Sequence, residues 1–212
     1  MYKLFYYPRN ASWAPHMVLA EMGVDYELVL VDRKSNAHKS SDYLVLNPTG
    51  RIPTLADGNS VIFESAAICL YLCDKHSDKN LMPRLADPNR PKFYQWLFYL
   101  NATLQPELMV YFYPNKHTTD QTTIAAIVQA QEQRISDILT LLDVELKNKE
   151  FLVGDHISVC DYYLFMLLHW ASDFQKTPMS YANLSIFMRT MARRNSVKNV
   201  CKVEGTDIAM YS

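Results

Sequence analysis

No apolar stretch in the 212 residues reaches the ~18–20 needed to cross a bilayer, so no membrane-spanning helix is expected. Charge of one sign is not in surplus either, because 21 Lys and Arg stand against 22 Asp and Glu. That near-cancellation argues against a protein that grips nucleic acid through its global field. It leaves room for local basic patches that hold small anions. Cysteine is sparse and badly spaced for metal work. Cys69, Cys73, Cys160 and Cys201 form no C-x-x-C pair and no ligand-like spacing, so no metal site is expected. Cys69 and Cys73 fall one turn apart in an apolar helical stretch, where packing is their expected role. Reduced thiols of this kind suit a cytoplasmic protein. Internal repeats, low-complexity tracts and a leader-like segment are also missing, since Met1-Tyr2-Lys3-Leu4 runs straight into a strand-like pattern.

What is there falls into two textures. Up to residue 77, short strands and short helices alternate. Tyr2 to Tyr7 and Tyr26 to Val31 read as strands, separated by a helix from Ala14 to Met22 that Gly23 stops. Ser40 to Leu46 reads as a short helix before the turn signal Asn47-Pro48-Thr49-Gly50. Asp57-Gly58 sits between two β-rich runs, a hairpin signature, and Ser65 to His76 is a clear helix. The order β-α-β-α-β-β-α follows, with its first two strands parallel. Residues 78–88 read as a linker punctuated by Pro83 and Pro88. From 89 to 212 the periodicity is helical throughout, as in Phe93, Trp96, Leu97, Leu100 and Leu104. Ser158-Val159-Cys160-Asp161 resembles a capping box, with Asp161 a helix-start device rather than a catalytic acid. An α/β layer followed by a helical bundle is expected to carry its ligand in a cleft at the domain boundary.

Three stretches carry chemistry. In Asn47 to Leu55 (NPTGRIPTL), the Ile52-Pro53 bond after a glycine-bearing turn is a candidate cis peptide. A cis bond there turns the Ile52 main chain outward, where it can pair with a peptide-like ligand as an added strand does. In Phe63 to Leu72 (FESAAICLYL), Ser65 and the free N–H groups of a helix start make an anion site, and Glu64 suits a neighbouring ammonium. Together they match the zwitterionic head of an α-amino acid. His38, Lys39 and Arg51 are local cations for a second carboxylate. The implied ligand has an amino-acid head, a main-chain middle and an anionic tail. Each piece also has a bland reading: a tight turn, an ordinary helix cap, a solvated basic pair.

The segments Pro8 to Pro15, His38 to Leu55 and Val61 to Leu72, in that order and before an all-helical half, resemble the cytosolic glutathione S-transferases, the bacterial beta and phi classes in particular. The resemblance implies an α+β two-domain protein: a thioredoxin-like βαβαββα domain joined to an all-α domain, usually as a homodimer. It implies a transferase of the detoxification type that uses glutathione as a consumed co-substrate, with no tightly bound cofactor, and small hydrophobic electrophiles as second substrates. By position, Ile52 pairs with the cysteinyl unit and Pro53 is cis. Glu64 and Ser65 hold the γ-glutamyl head, His38 and Lys39 the glycyl carboxylate, and Arg51 stands where glutamine is more usual. Beta-class members carry a cysteine in the loop where this chain has Ala11, followed by Ser12, so cysteine chemistry loses its nucleophile. Ser12 is then the expected thiol donor, with Tyr6 and Tyr7 as competitors. His16 is a structural or loop-anchoring residue.

A free thiol titrates near ~8.5, so ionising it at pH 7 takes a downward shift of about 2 units, roughly 2.7 kcal/mol. One hydrogen bond to the charged sulfur contributes about 1.5–3 kcal/mol and a helix start about 0.3–1 kcal/mol. A single donor at the head of the first helix therefore suffices. The electrophile is expected near Trp13 and the stretch holding Gln105, Met109, Phe112 and Tyr113, where Pro106 kinks a helix. The same thiolate chemistry would also serve isomerisation, dehalogenation or peroxide reduction, and a binding module of the same fold is the non-enzymatic alternative.

Overall fold

The computed structural model describes residues 1–211 as two compact units. Met1–Met82 together with Ala192–Met210 form the first, and Pro83–Met191 with Tyr211 form the second.

The first unit contains β1 (Tyr2–Tyr6), α1 (Trp13–Met22), β2 (Tyr26–Leu30), α2 (Ser41–Leu46), β3 (Thr54–Asp57), β4 (Ser60–Phe63) and α3 (Ser65–Lys75). The sheet order is β2-β1-β3-β4, with β1 parallel to β2 and antiparallel to β3. The Asp57-Gly58 signal closes the β3–β4 hairpin, with Asp57 opposite Ser60 and Gly58 at φ +56°. Leu4 and Leu55 from the sheet, Met17 and Val18 from α1, and Ile68 and Leu72 from α3 are fully buried. Each side chain of that size contributes roughly 1.5–3 kcal/mol on burial. α1 is buried along almost its whole circumference, a pattern that needs partners on every side. α3 supplies one, and the last helix of the chain, α9 (Asn195–Glu204), supplies another. Sequence periodicity grouped residues 89–212 together; by packing, 192–210 belong to the first unit instead.

The second unit is helical: α4 (Arg90–Tyr99), α5 (Gln105–Phe112), α6 (Ile124–Glu145), α7 (Val159–Trp170) and α8 (Ala182–Ala192, its last residue counted with the first unit). α7 is its centre, buried from Val159 through His169 and packed against α4 and α5. Its start carries the expected capping box: Asp161 accepts the N–H groups of Leu152 and Ser158, both at 2.8 Å, and the Ser158 hydroxyl at 3.0 Å. Residues Leu100–Leu104 form a π-helical turn between α4 and α5, immediately ahead of Pro106. The expected kink thus takes the form of a wide turn inserted into an otherwise helical run.

Candidate active site

The first unit gathers the chemistry-bearing stretches around the β1–α1 loop. After β1, Arg9 adopts a left-handed backbone at φ +59°, a costly conformation for a residue with a side chain. Its N–H donates to Glu204 Oε2 at 3.0 Å. Glu204 Oε1 lies 2.6 Å from His16 Nδ1, while His16 Nε2 is 3.1 Å from the Tyr26 hydroxyl. The His16 and Glu204 side chains are wholly shielded from solvent. His16 is the loop anchor expected of it, but Glu204 had no signal in the sequence, because it arrives from 188 positions away. Asn10 adds a second brace, accepting from Arg33 at 2.8 Å.

Ser12 is fully buried, and its hydroxyl donates to the Tyr7 carbonyl at 3.2 Å while accepting the Tyr7 N–H at 3.4 Å. The side chain expected to serve the thiol therefore closes its own loop. Tyr6 turns its ring to His16, and burial, with the Glu204 charge nearby, pushes its phenol above the ordinary range. Tyr7 is half-buried at the end of β1. Trp13 requires a correction. Its indole is fully buried inside the first unit, held there as the first residue of a helix with no exposed face, so it lines no open surface.

The turn before β3 contains the expected cis Ile52-Pro53 bond. Ile52 precedes the paired residues of β3, so its N–H and C=O stand outside both strand ladders. Arg51 is exposed, but its carbonyl is fixed by the Tyr43 hydroxyl at 2.7 Å and Asn47 Nδ2 at 2.8 Å. Asn47 Oδ1 in turn accepts the N–H and hydroxyl of Thr49 at 3.1 and 2.7 Å. Gly50 is required for contact as well as for its φ of +58°, because a Cβ there would lie 2.6 Å from Lys39 Nζ and 2.9 Å from the His38 carbonyl. Lys39 Nζ donates to the Thr49 carbonyl at 3.3 Å. His38 Nδ1 is shielded and has no hydrogen-bond partner among the described residues. Burial first, then the Lys39 and Arg33 charges, holds its imidazole below the usual range.

Glu64 is exposed and adopts φ +74° at the head of α3. Such a backbone costs on the order of 1–3 kcal/mol and persists only where the surroundings impose it. Ser65 is the first helical residue, 4% exposed, and its hydroxyl donates to the Ala11 carbonyl at 2.7 Å. That single bond brings the head of α3 against the β1–α1 loop.

In the second unit, Gln105 Oε1 accepts from the Tyr163 hydroxyl, which also lies 2.9 Å from Asn101 Oδ1. Phe112 is exposed on α5, Met109 and Tyr113 are half-buried, and Phe112 borders the Tyr111–Phe174 ring pair. Among the described residues no His, Cys, Asp and Glu cluster could hold a metal, and no helix is long and apolar enough to cross a membrane.

A four-stranded mixed sheet with a cis-proline turn beside its first loop, followed by an all-helical unit, defines a two-domain protein with a thioredoxin-like N-terminal domain. Family models described as "Glutathione S-transferase, N-terminal domain" and "Glutathione S-transferase, C-terminal domain" match residues 1–74 and 90–195. Glutathione S-transferase GstA of Escherichia coli O157:H7 is 30% identical over 96% of this chain and 98% of its own. A beta-class glutathione S-transferase structure from Sphingomonas chungbukensis is 31% identical, with a TM-score of 0.84 over 97% of this chain and all of that one. A sphingomonad glutathione S-transferase complexed with glutathione is 29% identical, with the same TM-score and coverage. The chain belongs to the glutathione S-transferase family of enzymes.

Proposed function

We propose that the chain binds glutathione in its first unit and activates the thiol for conjugation to hydrophobic electrophiles, glutathione being consumed as co-substrate. The observation that carries this reading is the 2.7 Å bond from Ser65 to the Ala11 carbonyl. It sets a site suited to an amino-acid head beside the loop where a thiol would be ionised, within the span of one tripeptide. In this reading the γ-glutamyl carboxylate takes the free N–H groups at the head of α3 and the ammonium takes Glu64. The cysteinyl unit pairs with the Ile52 main chain, as an added strand does, next to Pro53. Lys39 and Arg51 meet the glycyl carboxylate as charges, while His38, depressed toward its neutral form, contributes a hydrogen-bonding nitrogen rather than a charge. The sulfur lies by the head of α1, among Ser12, Tyr6 and Tyr7. In the helical unit, Met109, Phe112 and Tyr113 beside Gln105 are the open side chains suited to an apolar electrophile. A cytoplasmic homodimer is part of the same reading.

Retention on glutathione-agarose with elution by free glutathione, followed by turnover of a generic aryl halide, tests it. Specific elution and glutathione-dependent turnover are expected. Passage through the resin unretained, with no thiolate absorbance on adding glutathione, would sink it.

A further inference from the structure

In the helical unit, the π-helical turn Leu100–Leu104 is closed by the Gln105 N–H donating to the Leu100 carbonyl. Turns of this kind are frequent at functional sites. At the ~3.6 residues per turn of an α-helix, side chains four positions apart are rotated past one another, and a wider turn brings them into line. Asn101 and Gln105 stand four apart across this one. Both set an amide oxygen on the hydroxyl of Tyr163, Asn101 Oδ1 at 2.9 Å and Gln105 Oε1 closer still.

Tyr163 is fully buried in α7 and has one O–H hydrogen to give, so a single amide would satisfy it. Two are supplied. Both amide residues are half-buried rather than enclosed. Neither Asn101 Nδ2 nor Gln105 Nε2 has a hydrogen-bond partner among the described residues, and neither is closed off from solvent. Each amide is thus held at its oxygen and keeps its N–H donors outward. Gln105 is the one that heads an apolar stripe. Met109 lies one turn further along α5, with Phe112 and Tyr113 a turn beyond. A ligand with an apolar body and an oxygen at one end fits that sequence of side chains.

We propose that Gln105 selects electrophiles conjugated to an oxygen, the α,β-unsaturated ketones and aldehydes: Tyr163 holds its amide by the oxygen, and the amide N–H donates to the substrate carbonyl. This rests on the conjugation read above and names its second substrate class. In the addition, an electron pair of the glutathione thiolate forms the S–C bond at the β-carbon. The C=C pair shifts to join the α and carbonyl carbons, and the C=O pair moves onto oxygen as an enolate. A solvent proton then reaches the α-carbon. A donor aimed at that oxygen contributes most when the charge is on it, so it lowers the barrier more than it tightens binding. At a saturated halide the charge departs with the leaving group, and the amide meets no oxygen.

The test is the ratio of kcat/KM for benzylideneacetone to that for benzyl chloride, two electrophiles with the same phenyl body, measured with glutathione in the full-length protein. The ratio is taken within one preparation, so a loss of folded protein or of thiolate divides out. Gln105→Met fills similar space without a donor and is expected to lower the ratio about 10-fold, mainly through kcat, near the low end for one hydrogen bond to a charged acceptor. Gln105→Glu keeps an oxygen for Tyr163 but offers no N–H, and should lower it at least as much. Tyr163→Phe leaves the amide present but unheld, with an expected fall of about 3-fold. A ratio within about 2-fold of wild type in either Gln105 variant would show the amide to be a brace for Tyr163 only, and would overturn the proposal. So would a wild type that turns over benzyl chloride, or an aryl halide, and leaves benzylideneacetone untouched, with conjugation itself still standing. Only the failure of all three compounds would overturn the reading beneath as well.

Discussion

At the scale of single residues, Glu204 carries more than its sequence context suggests. It is the last residue of α9, and both its carboxylate oxygens are spoken for: one by the Arg9 N–H, the other by His16 Nδ1. Arg9 sits in a left-handed backbone where glycine would be the unstrained choice, so something must hold it there. Glu204 is that constraint. Replacing it with alanine strands the buried His16 Nδ1 at about 1–3 kcal/mol, frees the part-buried Arg9 N–H at a smaller cost, and opens a small cavity besides. Glu204→Ala is therefore expected to lose about 2–5 kcal/mol in urea unfolding and to raise the KM for glutathione. Glu204→Gln retains one acceptor oxygen and should lose about half as much. Equal midpoints for wild type and Glu204→Ala would show that the loop holds its shape without this brace. The contrast with His38 is instructive. Both histidines are shielded at their Nδ1 atoms, but among the described residues His16 Nδ1 has a partner and His38 Nδ1 has none, so of the two it is His38 that keeps a nitrogen to offer a ligand.

At the scale of elements, local signals were legible and remote ones were not. The start of α7 could be read because Ser158 and Asp161 stand three positions apart and answer each other. The Ile52-Pro53 turn could be read because Asn47, Thr49 and Gly50 lie within six residues of Pro53. By contrast, what the Ser12 hydroxyl already bonds could not be read: a hydroxyl at a helix start invites a ligand, but whether a carbonyl already occupies it depends on how the chain bends back to Tyr7. Trp13 failed for a related reason, since an aromatic beside a candidate site looks like pocket lining until α1 is seen to be covered on all sides. The capping box also sets a pH dependence. Burial, outweighing the hydrogen bonds that favour the carboxylate, pushes the Asp161 carboxyl up to about 6 from an ordinary value near 3.8. A folded-state pKa above the unfolded one means that protonation favours the folded chain. Its contribution is full below about pH 4 and is lost as pH rises through about 6. The stability gap between wild type and Asp161→Asn is thus expected to widen by about 2 kcal/mol from pH 7.5 to pH 4.5. Urea midpoints at fixed protein concentration measure it, and a gap that narrows on acidification would show an ordinary low-pKa cap.

At the scale of the whole molecule, periodicity tells that a helix buries a face but not which partner covers it. α9 buries Val197, Val200 and Cys201, spaced three and one apart like any amphipathic helix, and nothing in that pattern distinguishes α1 from the helical bundle as its partner. Contacts settle it in favour of α1, and the Glu204 bonds to Arg9 and His16 lie in the same unit. The N-terminal unit is consequently completed by the C-terminal end of the sequence. Ending the chain after Met191 removes α9, uncovers one side of α1 and deletes Glu204, and it also takes Tyr211 from the helical unit. Three buried apolar residues at roughly 1.5–3 kcal/mol each, added to the Glu204 loss, are comparable with the ~5–15 kcal/mol that holds an ordinary domain together. The shortened chain should therefore lose glutathione-agarose retention and show early proteolysis within residues 1–82, with cleavage within 83–191 no faster than the loss of Tyr211 alone produces. A chain ending at Met210 is the control, because it retains α9 and loses Tyr211, whose hydroxyl lies 2.8 Å from both His169 Nδ1 and Ser172 Oγ of the helical unit. Its damage is expected in the helical unit, with residues 1–82 still protected. If the Met191 chain bound glutathione resin like the full-length protein, α9 would be an accessory, and the brace on the β1–α1 loop would have to come from within the first 82 residues.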